Sequence, residues 1–337
     1  DEDLGIEQLL MQEIDVTTGN WKGKEKPLIK YEGQIPNSSF SLNTRGFSNI
    51  ISPKFFVKLS PNQSKILVYH KTVSALKNAN KNYEKIGLYV FDSDFNRLQG
   101  EVLRMPHVEA NMLIADYCVN NKGYAYILAA IGKNVPKRGG QPAGVKYNYQ
   151  IFKKRATSST LFNTPIDFGA KRVKSISFYA NAQDDLQFVG CYGLNETPTV
   201  SGLFSVRMDK DGGKFDEEYH GIPRTISNKY ISEIKDYRNE KDIPEANLLG
   251  FTDMYMREVN NQIDGGKVFV FEQRQSQTTS ADDEGSQSNN NFFYNNLLLA
   301  KIDQSGRLLA QHALSIACRQ AALCCSAALL FTNPHSR

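Results

Sequence analysis

A chain of 337 residues with 40% hydrophobic and 11% aromatic content can build one large all-β or repeat domain, or two ordinary domains, and is not disordered as a whole. Forty Lys and Arg against 36 Asp and Glu leave a net charge of +4, which gives no global support for binding nucleic acid or an anionic membrane. No apolar run approaches the roughly 18 residues that span a bilayer; the longest, Ala321 to Phe331, is short and interrupted by Ser326, so no transmembrane segment is expected.

The chain begins at Asp1 rather than Met, which fits removal of an export signal or of a larger upstream piece. Leu9 to Lys30 then reads as an apolar strand, a turn from Asp15 to Gly19 and a second strand, half of a unit that recurs complete from Lys54 onward. In the first complete unit, FFVKLSPNQSKILVYH gives strand, turn at Pro61 to Ser64, strand. A loop from Lys71 to Lys85 follows, and then the hairpin LYVFDSDFNRLQGEVLRM over Leu88 to Met105. The second unit opens with LIADYCVNNKGYAYILAA, turning at Asn120 to Gly123. It crosses a Gly/Pro/Lys-rich loop at Gly132 to Gly144 and closes with YNYQIFKKRATSSTLFNTPI.

The third unit runs from ISFYANAQDDLQFVGCY, over a short loop at Asn195 to Ser201, to LFSVRMDKDGGKFDEEYHG. The fourth pairs TDMYMREVNNQIDGGKVFVFEQ with LLLAKIDQSGRLLAQHAL across a low-complexity insertion, Gln275 to Asn291, whose Ser, Gln, Asn and acidic content cannot build a core and is expected to be mobile. Arg224 to Ala246 has the spacing of a short amphipathic helix in a long connection. From Ser315 the chain is Ala- and Cys-rich without strand alternation. A packed terminal helix and an ending foreign to a chain that naturally continues both fit it.

Four-stranded antiparallel units with turn chemistry at matched places are the signature of a β-propeller, because stacking such sheets buries both faces of each. The expected fold is therefore an all-β, propeller-like array: a leading half blade over 1–50, blades over about 53–108, 111–169, 172–223 and 249–314, and an atypical tail at 315–337, with the half blade pointing to an incomplete ring. A β-sandwich built from the same hairpins is the competing architecture, though sandwiches rarely repeat this strand and loop order in register.

Loop length then locates a candidate site. Turns between first and second and between third and fourth strands are tight, while second-to-third loops and connections between units carry every long insertion, which places those insertions on one face. Two of them are basic with tyrosine beside them, and Lys77, Lys81, Tyr83, Lys137, Arg138 and Tyr147 are the candidate binding residues, suited to an anionic glycan, a phosphate or an acidic partner. The competing view is a solvated, Lys-rich loop that only aids solubility.

Chemical motifs are sparse. Five histidines are scattered without ligand spacing, so no metal is expected. There is no GxSxG elbow, Walker loop or GxGxxG, so no cofactor is implied. DKDGG at Asp209 to Gly213 lacks the Gly and closing Glu of a calcium loop and reads as a hairpin turn. Cys118 and Cys191 fall inside apparent strands, where a cysteine behaves as a small buried hydrophobe. No catalytic residue is assigned. Paired carboxylates for glycoside chemistry would have to come from different blades, about 5 to 10 Å apart.

The phrases LSPNQSKIL (Leu59 to Leu67), VFDSDFNRL (Val90 to Leu98) and CVNNKGYAYILAA resemble those of a family of β-propeller-like (six-bladed-propeller-like) cell-envelope proteins of the Bacteroidetes, over about Leu9 to Ala313. The resemblance implies a periplasmic or cell-surface location and a noncatalytic role. The one-faced distribution of long loops suits a protein or glycan partner, and the charge balance argues against nucleic acid. It supplies no catalytic residues. The tail after Ala313 departs from it, since such proteins would continue into further strands. The functional expectation is a noncatalytic binding scaffold. The rivals are a glycan-active propeller hydrolase or lyase and a structural module of a larger protein.

Overall fold

One polar side chain at the start of the turn sets the hairpins that turn at Asp92, Asn120 and Asn181. The computed structural model describes residues 5–36, 54–73, 82–132, 147–156, 158–194, 199–209, 212–222, 251–252, 254–261, 266–279, 289–303 and 307–318. In the turn after the third strand of the first sheet, Asp92 Oδ1 accepts from the backbone N–H groups of Asp94 (3.0 Å) and Asn96 (2.8 Å). Asn120 does the same for Lys122 and Tyr124, and Asn181 for Gln183 and Asp185. This is the local side-chain capping that makes Asn and Asp turn formers. The chain then passes through a left-handed residue, at Phe95 (φ 61°), Gly123 (φ 80°) or Asp184 (φ 69°), before re-entering a strand.

The hairpins assemble into four sheets of four antiparallel strands, each in sequence order, after a leading two-stranded hairpin. That hairpin is β1 (Ile6–Ile14) and β2 (Trp21–Glu32). The first sheet is β3 (Phe56–Leu59), β4 (Lys65–Lys71), β5 (Tyr83–Asp92) and β6 (Arg97–Val108); the second is β7 (Met112–Val119), β8 (Ala125–Ile131), β9 (Asn148–Lys154) and β10 (Leu161–Ile166). The third comprises β11 (Arg172–Ala180), β12 (Leu186–Gly193), β14 (Gly202–Met208) and β15 (Lys214–Gly221). A two-residue strand β13 (Thr199–Val200) inside it pairs with β16 (Phe251–Thr252). The fourth sheet is β17 (Met254–Asn261), β18 (Lys267–Thr279), β19 (Asn289–Ile302) and β20 (Leu308–Cys318). Among the described residues the one helical element is the 3-10 turn Glu109–Asn111.

Strand alternation explains why the sheets stack face to face. On β4, Leu67 and Tyr69 join Ile86, Leu88 and Val90 of β5 against Met112, Tyr117, Ile127 and Phe152 of the second sheet. Val68, one position out of phase, faces the other way with Tyr89 and Phe91, where Ile29 of the leading hairpin covers them. The second sheet repeats this: Ala125, Ile127 and Ala129 face the first sheet, and Tyr126, Leu128 and Ala130 face Phe178, Phe188 and Val206 of the third. Val189 and Cys191 of the third sheet in turn meet Phe269, Phe271 and Leu298 of the fourth. Period two on a sheet buried on both faces thus yields a serial, propeller-like stack. Its first strands β3, β7, β11 and β17 are successive neighbours on the inner side.

Two expectations are revised here. Gln275 to Asn291 is not an unstructured insertion throughout, because β18 and β19 remain paired out to Thr279 opposite Asn289. A β-ladder requires backbone partners and not an apolar core, so a Gln/Ser/Thr/Asn ribbon can extend a hairpin beyond the body of its sheet. β20 also continues through Cys318, which pairs with Tyr294, so strand persists into the stretch read as non-strand from Ser315. The helix expected in 224–246 lies outside the described residues.

Candidate functional site

At the end of the sheets that bears the long connections, the structure places two of the six candidate binding residues. Tyr83, at the first position of β5, is 38% exposed, and the Arg104 guanidinium carbon lies 3.9 Å from its ring centroid. That is a cation–π contact on a solvent-facing edge. Tyr147 enters β9 instead from inside the seam between the second and third sheets. There it is buried, its hydroxyl finds no hydrogen-bond partner among the described residues, and burial pushes its phenol pKa up. The two tyrosines are therefore not brought together: one is displayed, the other packed. Lys77, Lys81, Lys137 and Arg138 lie outside the described residues. Of the neighbouring basic positions, Lys71 is held by Glu84 at 2.8 Å and Lys85 is exposed.

Where the first strands meet, three sheets converge on one carboxylate. Asp116 follows a β-bulge on β7, between Ile114 and Asp116 in the pairing with β8. Bulges re-aim side chains. Asp116 Oδ1 accepts from its neighbour's backbone, Tyr117 N–H at 2.8 Å, and lies 3.3 Å from the Lys58 ammonium on β3. Its Oδ2 accepts a short hydrogen bond from the Ser177 hydroxyl on β11 and a longer one from Phe178 N–H at 3.3 Å. Two carboxylate oxygens offer about four lone-pair sites, and four donors from three sheets occupy them.

The electrostatics around the cluster follow from this. The Asp116 charge raises the pKa of Lys58 against the opposing effect of burial, so its ammonium is retained. Tyr69, stacked on Tyr117 with ring centroids 3.8 Å apart, is pushed above the usual phenol range by burial first and Asp116 second. Burial likewise holds the Cys118 and Cys191 thiols protonated, and both are free cysteines sealed inside strands. Among the described residues, no three His, Cys, Asp or Glu side chains are grouped so as to hold a metal ion. Likewise, no helix there is long and apolar enough to cross a membrane.

Residue order gave no sign of this cluster. Lys58, Asp116 and Ser177 lie in three different units, each with an unremarkable polar residue in a strand. The recurring bulge is the one cue: equivalent register shifts occur on β11 between Val173 and Ser175 and on β17 between Met256 and Glu258. In the fourth sheet, Glu258 thus holds the register position that Asp116 holds in the second.

No protein-family model matches the chain, and no curated protein is significantly similar to it. Among solved structures, an endo-arabinase from Bacteroides thetaiotaomicron is similar at 15% identity, with a TM-score of 0.35 over 83% of this chain and 84% of that one.

Proposed function

We propose that this protein is a noncatalytic binding scaffold of the bacterial cell envelope that presents its loop-bearing end to a protein or glycan partner. The observation that supports this reading is the state of Asp116: its lone-pair sites are filled by Lys58, Ser177 and two backbone N–H groups, as in a cross-link between sheets. Tight capped turns and serial stacking make the body a rigid support, the arrangement on which variable loops carry recognition. The envelope location rests on the sequence resemblance. The test is a glycan array probed with the protein and with a variant in which 133–146 and 280–288 are replaced by short Gly/Ser turns. Loss of a captured glycan with an unchanged circular dichroism spectrum supports the reading, and equal capture by both proteins overturns it.

A glycan-active hydrolase or lyase is the second reading, favoured by one observation: Asp116 and Glu258 occupy equivalent bulge positions on first strands of different sheets. Release of reducing ends from a polysaccharide, abolished by both Asp116→Asn and Glu258→Gln, would establish it over the first.

A further inference from the structure

The leading hairpin has two strands where each of the four full sheets has four. Among the described residues β1 pairs with β2 alone, so its other edge presents backbone N–H and C=O groups without a ladder. The two strands differ as edges. β2 carries Lys22, Lys24, Lys26 and Lys30, Pro27, and Gly23 at φ 68°, which are devices that keep an edge from pairing. The extra residues of β2, at Leu28 and between Lys22 and Lys26, also absorb both irregularities of the ladder. β1, IEQLLMQEI, therefore runs unbroken from Ile6 to Ile14, with no proline, glycine or lysine.

Residue types on β1 read the same from either end about Leu10. Laid antiparallel against a second copy of itself with Leu10 opposite Leu10, the strand places Ile6 opposite Ile14, Gln8 opposite Gln12 and Leu9 opposite Met11. Apolar and hydrogen-bonding matches of this kind stabilise cross-strand pairs. Glu7 falls opposite Glu13, but each carboxylate has a lysine of its own copy at hand. Lys54 Nζ lies 2.5 Å from Glu7, and Lys22, which also meets Asp15 at 3.5 Å, is the register partner of Glu13. A surface that complements itself about one point is what a two-fold dimer requires. Its apolar side chains are displayed: Leu10 is 48% and Ile14 49% exposed. On the first sheet, the face that packs Val68 against the hairpin continues to its register partner Val57 and on to Leu59, which are left 56% and 54% exposed. The contact of Glu7 with Lys54, just before β3, sets β1 rather than β2 on that side.

We propose that β1 is a dimer edge, pairing antiparallel with β1 of a second copy of this chain about a two-fold axis at Leu10. The product is a four-stranded sheet in the order β2, β1, β1, β2, which gives the leading hairpin the strand number of the other sheets. Backbone hydrogen bonds supply the affinity, and the matched side chains fix the register. Assembly through β1 is independent of any partner held by the long loops.

The experiment is sedimentation velocity of the full chain over a concentration series from about 1 to 100 µM, in which a species of twice the monomer mass should grow with concentration. The monomer is 37.9 kDa. Leu10→Lys, at an exposed position, sets two ammonium groups opposite each other at the axis and should weaken the dimer roughly tenfold or more; Leu10→Glu does the same with two carboxylates. An equimolar mixture of the two variants brings opposite charges together at that point and should recover the dimer, an outcome specific to the register centred on Leu10. Urea unfolding of each variant establishes that the fold is retained. The proposal is overturned by a monomer throughout the series, by a dimer that survives both substitutions, or by a mixture that stays dissociated.

Discussion

Gly87 and His70 face each other as register partners on β5 and β4 so closely that a Cβ on the glycine would lie 1.9 Å from the imidazole Nε2. His70 is fully buried among Tyr31, Phe55 and Tyr89, with ring centroids 4.8, 5.2 and 5.8 Å away, so it has no free direction in which to retreat. The glycine is there because the histidine fills its place. Gly87→Ala should destabilise the protein by about 3 kcal/mol, the upper range for overpacking a closed core. Urea unfolding checks this through a lower midpoint with an unaltered slope. A midpoint equal to that of the parent would mean that the ring can move after all.

The same histidine makes stability depend on pH. Its Nδ1 lies 3.0 Å from the Lys71 carbonyl and donates to it, which leaves Nε2 buried and, among the described residues, without a partner. Burial lowers the His70 pKa below 6.5, against smaller raising effects from that hydrogen bond and from Glu7. Above the ordinary value both folded and unfolded imidazoles are neutral and the stability is fully present. As pH falls below it, the unfolded chain takes up a proton that the folded state resists, and stability declines until the folded ring titrates. The unfolding midpoint should therefore drop between about pH 7 and pH 5, and His70→Gln should flatten that dependence. Parallel slopes in the two proteins would assign the effect to other groups.

Equivalent turn positions should respond to glycine with opposite signs. Phe95 and Asp184 both adopt left-handed backbone, at φ 61° and 69°, in turns capped by Asp92 and Asn181. Phe95 is 39% exposed, so Phe95→Gly relieves the strain of a bulky side chain in that region and should raise stability by up to about 1 kcal/mol after the entropy of the new glycine is counted. Asp184 instead accepts a hydrogen bond from Asn121 N–H at 2.7 Å, linking the turns of the second and third sheets. Asp184→Gly removes that bond and should lower stability by about 1 kcal/mol. Thermal unfolding of the two variants side by side decides it; shifts of the same sign would contradict the assignment.

Much of the architecture is legible in alternation and turn chemistry. Leu67 and Val68 are adjacent and apolar, and period two sends them to different seams, as strand reading requires. Asp92, Asn120 and Asn181 mark their turns by residue type alone. The inner cluster is not legible, because the bulge on β7 changes phase: Met112 and Ile114 share a seam with Tyr117 and Val119, so the count from Ile114 onward is out by one, and Asp116 falls where plain alternation would not put it. The Gln/Asn-rich ribbon of β18 and β19 misleads for a different reason, since polarity argues against a core but not against a ladder.

If Asp116 is a cross-link, its partners must be energetically coupled to it. Its side chain is 13% exposed and that of Lys58 43%, so removal of the two ends should have unequal effects. Lys58→Met gives up an ion pair partly screened by water, for a loss of about 0.5 to 1 kcal/mol. Asp116→Ala strands Ser177 and two backbone N–H groups as well and should lose about 2 to 3 kcal/mol. In the double variant the ammonium is already gone when the carboxylate is removed, so the losses should fall short of additivity by roughly 0.5 kcal/mol or more. Urea unfolding of the four proteins completes the cycle. Strict additivity would mean that the Lys58 and Asp116 charges do not interact in solution, and Asp116 would then be left as a carboxylate with an open side, the condition that the hydrolytic reading needs.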